Sequence, residues 1–101
     1  VQELENQAAE IDLKMAVVEG VFFTRDLINA PANVLTTTTF AKQLSALSKL
    51  GITVEVLDEP ALEKLGMRTL LCVGQGSDSP SKVVVMQWNG GGDGAPFAFV
   101  G

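Results

Sequence analysis

Apolar residues recur along the first third of the chain at helical spacing. Ile11, Met15, Val18 and Phe22 are separated by four, three and four positions, which is one stripe of an α-helix. The stripe predicts a single long helix from about Leu4 to Ile28. Glu3, Glu5, Glu10 and Asp12 cluster early in it and Arg25 comes late, the order that suits the helix dipole. Gly20 weakens the interior by about 1 kcal/mol relative to alanine. The helix must stop before Pro31, because a residue preceding proline avoids helical backbone angles. Asn29-Ala30-Pro31-Ala32-Asn33 is then a connector of turn formers, with the two asparagine amides expected to hold its backbone.

Four threonines follow, of which Thr36 or Thr37 can cap a second helix. Phe40, Leu44 and Leu47 mark its inner face, and Gly51 closes it where a left-handed backbone is needed. Ile52-Thr53-Val54-Glu55-Val56 alternates apolar and polar, a strand with one wet face. Asp58 caps a short helix, with Pro60 in its first turn, Leu62 and Leu65 facing inward and Gly66 at its end. Leu70 to Val73 is a short apolar run that periodicity leaves open between strand and helix. About a dozen residues separate it from Leu57, enough for a parallel crossover. Gly74 to Pro80 reads as a loop, Val83 to Met86 as a strand covered on both faces, Gly90 to Gly94 as a flexible loop, and Phe97 to Val100 as a last strand. The order of elements gives an α/β fold, helices packed on a mixed, mainly parallel sheet. No internal repeat is present.

Composition sharpens this. Apolar residues make up 47% before ten glycines are counted, against about 45–50% with glycine included in an average domain. Charged residues are 19%, below the usual ~25%. A small free-standing domain should tilt the other way, having more surface per unit volume. The chain opens at Val1 and closes after the apolar Phe97 to Val100, where folded chains commonly carry polar tails. Both ends are therefore expected to be cuts in a longer polypeptide. Seven basic and twelve acidic residues give a net charge of −5. That argues against nucleic acid or an anionic membrane as partner. No apolar stretch approaches the ~20 residues of a membrane span.

Candidate chemistry is sparse. The chain has no histidine and no tyrosine, so the commonest general base and metal ligand is missing. Cys72 lies in an apolar run without a histidine to activate it and reads as inert core. Gly74-Gln75-Gly76 lacks the third glycine and the following helix of a dinucleotide loop, and the nearest lysine, Lys82, follows a serine. Asp58 and Glu59 are adjacent carboxylates, which can share a metal, but they stand at a helix start where acids are favoured. Asp93 in the glycine loop reads as a turn residue. Arg25 could hold a carboxylate, but with Asp26 it sits in the last turns of the first helix, where packing or pairing is its simpler role.

Three segments, in their order and spacing, resemble the leucyl aminopeptidase (cytosol aminopeptidase) family of two-metal metallopeptidases. They are Gly20-Val21-Phe22-Phe23-Thr24-Arg25-Asp26-Leu27-Ile28-Asn29-Ala30-Pro31-Ala32-Asn33-Val34-Leu35-Thr36, then Val54 to Glu59 running on through Leu62 to Met67 and Val73 to Ser77, then Trp88-Asn89-Gly90-Gly91 with Phe99-Val100-Gly101. The likeness runs from about Ala16 to Gly101. It implies a metallo-aminopeptidase that removes N-terminal residues such as leucine from peptides, using two divalent ions, zinc or manganese, in a cytoplasmic hexamer. It implies further that residues 1–29 are the end of a helix connecting from a missing N-terminal domain. Residues 30–101 are then the start of the catalytic α/β domain, cut before the metal site. In the family the last strand continues into the lysine and aspartate of that site, beyond Gly101. No catalytic, cofactor-binding or metal-binding residue therefore carries over onto this chain, which is expected to be an inactive scaffold piece that needs the remainder of the domain. The family's proline after the capping threonine is replaced by Thr37, which softens that helix start. Two rival readings remain: a stand-alone α/β binding module using the Gly74 to Pro80 loop, and a self-associating piece with open strand edges.

Overall fold

The computed structural model describes all residues, Val1–Gly101. They divide into two compact units, Val1–Leu35 and Thr36–Gly101.

The first unit is dominated by helix α1, Gln2–Asn29. Glu3 and Glu5 occupy its first turn, Glu10 and Lys14 pair one turn apart at 2.8 Å, and the Thr24 hydroxyl donates back to the Gly20 carbonyl at 3.0 Å. The helix ends as the proline rule requires. Ala30 takes an extended conformation, φ −68° and ψ 129°, immediately before Pro31. The connector is fixed by main-chain bonds: the amides of Val34 and Leu35 both donate to the Pro31 carbonyl at 2.9 Å. No residue of α1 is buried. The stripe Ile11, Met15, Val18 and Phe22 forms as a helical face, and all four residues are exposed.

The second unit begins with α2, Thr37–Ser45, which runs into a 3-10 turn, Ala46–Leu50. Thr36 is its cap. The Thr36 hydroxyl accepts from the Thr39 amide at 3.2 Å, and the Thr36 amide donates to the Thr39 hydroxyl at 2.7 Å. This is a capping box with threonine in place of the usual acid. Ala41 and Leu44 are buried, while Phe40, in the first turns of α2, is exposed and Leu47, in the 3-10 turn, is half-buried. Gly51, at φ 85°, closes the turn.

Strand β1, Thr53–Leu57, leads to α3, Glu59–Lys64, then α4, Arg68–Gly74, then strand β2, Val83–Gln87. Leu70 to Val73 is thus helical. With that run unable to serve as a strand, β1 pairs with β2 instead. The pairing is antiparallel, from Thr53 opposite Gln87 to Leu57 opposite Val83, and it makes a two-stranded sheet. The expected parallel crossover does not occur within this chain, and the sheet is neither mixed nor mainly parallel here. Phe97 to Val100 forms no strand. An extended segment is recognised as a strand by its ladder of hydrogen bonds, and this one has no neighbour to supply them; Phe97, Phe99 and Val100 are almost wholly exposed.

The core is small: α2 packs against both strands, and Leu62 of α3 is buried. Its buried apolar residues are Ala41, Leu44 and Leu62, of which Leu62 alone is fully buried, and burying a leucine such as Leu62 contributes about 1.5–3 kcal/mol. Leu65 does not join it. It sits at the C-terminal cap of the six-residue α3 and is 62% exposed, because Gly66 turns the chain there with φ 72°. Strand β2 is not covered on both faces either: Val85 and Met86 are exposed.

Candidate functional site

Of the polar groups singled out in the sequence, Asp58 and Glu59 stand at the N-terminal end of α3. Asp58 takes the capping role: its Oδ1 accepts from the Ala61 amide at 3.1 Å. That leaves Glu59, one residue further and half-buried, free to turn the other way. Its Oε1 accepts from the Ser81 amide at 2.8 Å. The adjacent carboxylates are therefore split between two backbone donors and do not converge on a common point.

Ser81 is the hub of the neighbouring loop and is buried, at 7% exposure. Its hydroxyl lies against Gly74 so closely that a Cβ on Gly74 would collide with it. One residue earlier, the Pro80 carbonyl accepts from the Thr37 hydroxyl at 2.8 Å. Three elements, the starts of α2 and α3 and the end of α4, thus pin the two residues that precede Lys82 and β2. The loop itself is held by local bonds. The Ser77 amide donates to the Gly74 carbonyl at 3.1 Å, and the Ser79 amide to the Ser77 hydroxyl at 3.1 Å. These two donors are turned into the loop's own turns.

Beside the junction lies an open, shallow concavity of about 790 Å³. Glu59 and Glu63 of α3, Arg68 and Cys72 of α4, and Ser77 and Asp78 of the loop border it. Cys72 is exposed, not core. The Leu70 to Val73 run is wound into a helix, and its thiol side faces outward; its neighbour is the Gln75 amide, 3.6 Å from Sγ. The chain has no histidine to pair with it. Arg25, Asp26 and Asp93 are exposed. No group of three or more His, Cys, Asp or Glu side chains stands together to hold a metal ion, and no helix is long and apolar enough to cross a membrane. The hydrogen bonds of this arrangement fix backbone.

The Glu59–Ser81 and Thr37–Pro80 bonds were not visible in the sequence. Their partners are 22 and 43 positions apart, and neither has a local pattern that marks it.

Compared with known proteins, residues 22–101 match the family profile described as Cytosol aminopeptidase family, catalytic domain. A probable cytosol aminopeptidase of Dinoroseobacter shibae is 67% identical over 97 residues, covering 96% of this chain and 20% of that protein. One of Cereibacter sphaeroides is 59% identical over 98 residues, again 96% of this chain and 20% of the relative. One of a Bradyrhizobium species is 59% identical over 86 residues, 84% of this chain and 17% of the relative. The chain spans about a fifth of the length of these curated relatives. No solved structure matches it.

Proposed function

The chain belongs to the cytosol aminopeptidase family, and from that membership we propose that it is scaffold within a metal-dependent aminopeptidase that removes N-terminal residues such as leucine from peptides. The observation that carries the reading is the continuous family match over residues 22–101. In this reading residues 1–29 are the end of a helix connecting from another domain, and residues 30–101 open the catalytic α/β domain. The two-stranded sheet is then one part of a larger mixed, mainly parallel sheet. Phe97 to Val100 becomes a strand once a neighbour supplies its ladder. The exposed apolar residues of α1, β2 and the Phe97 to Val100 segment are the faces that the remainder of the domain covers, as expected of apolar area of this extent.

Two divalent ions, zinc or manganese, belong to the proposed chemistry of the whole enzyme. The residues present here do not fit such a centre. Its ligands must converge, whereas Asp58 and Glu59 each accept from a different backbone donor and no group of three or more His, Cys, Asp or Glu side chains is placed to hold an ion. The ligands are therefore assigned to the part of the enzyme that these residues do not include. The assembly is proposed to be a cytoplasmic homohexamer acting on peptides. The test is leucine-amide hydrolysis by the full-length protein with zinc or manganese, before and after chelation. Metal-dependent release of leucine is expected, and a purified full-length protein without it contradicts the reading.

A further inference from the structure

We draw no further inference here: the strongest candidate, the exposed apolar face of α1 along Ile11, Met15, Val18 and Phe22, is an unpartnered surface, and nothing in the structure shows what covers it.

Discussion

The Glu59 carboxylate and the Ser81 amide are 22 positions apart in the chain and 2.8 Å apart in space. This bond ties the first turn of α3 to the residue that leads into β2, and so fixes where the second strand enters the sheet. A bond to a charged acceptor contributes about 1.5–3 kcal/mol when sheltered, and less at this half-buried site. Glu59→Ala is expected to lower stability by about 1 kcal/mol. Glu59→Gln, which keeps an acceptor in reach, should lose about half of that or less. Urea denaturation of the two variants checks the order; equal midpoints for Ala, Gln and the parent would show that the bond contributes nothing.

Thr37 stands where the family resemblance places a proline, and its hydroxyl holds the Pro80 carbonyl at 2.8 Å. The substitution exchanges a preorganised helix start for a side-chain tether. Thr37→Val removes the tether alone and should destabilise by about 0.5–1.5 kcal/mol. Thr37→Pro removes the tether but restricts the unfolded chain, a gain of about 0.4–1 kcal/mol, so it should be milder than Thr37→Val. Thermal melts that rank the proline variant below the valine variant would contradict this balance.

Gly74→Ala places a methyl against the Ser81 hydroxyl. Overpacking of this kind costs about 1–3 kcal/mol. Because the severe overlap is with the hydroxyl oxygen, while the Ser81 Cβ lies at 3.3 Å, Ser81→Ala in the same chain should recover much of the loss. A double-mutant cycle measures it directly: strong coupling between the two positions is expected, and simple additivity would place the strain elsewhere.

Leu62 is the one large side chain with no exposed surface. Leu62→Ala should cost about 2–5 kcal/mol, a large part of what so small a core can supply. Loss of cooperative unfolding in the second unit, followed by amide hydrogen exchange of α2, β1 and β2, is the expected result. An unchanged transition would mean that the core lies elsewhere.

These sites also show what was legible in the sequence. Thr36, Gly51, Asp58 and Gly66 each act within four residues of themselves, through a cap or a left-handed turn, and each does in the fold what its neighbours in sequence announce. Strand β2 was legible from its continuous valines. The pairing direction was not, because it depends on whether Leu70 to Val73 becomes strand or helix, and a four-residue apolar run has no period to decide that. Phe97 to Val100 reads as a strand and forms none, since a strand is a property of two segments and only one is present. The junction at Ser81 was invisible for the same reason: Thr37, Glu59 and Gly74 are brought to it by tertiary packing.

The central claim is that these residues supply scaffold and no metal ligands to an aminopeptidase. It is tested most directly by titrating the isolated 101-residue chain with zinc and with manganese in a calorimeter. The account predicts no saturable, stoichiometric binding of either ion. Stoichiometric uptake abolished by substituting acidic side chains of this chain, such as Glu59 and Glu63, would contradict it.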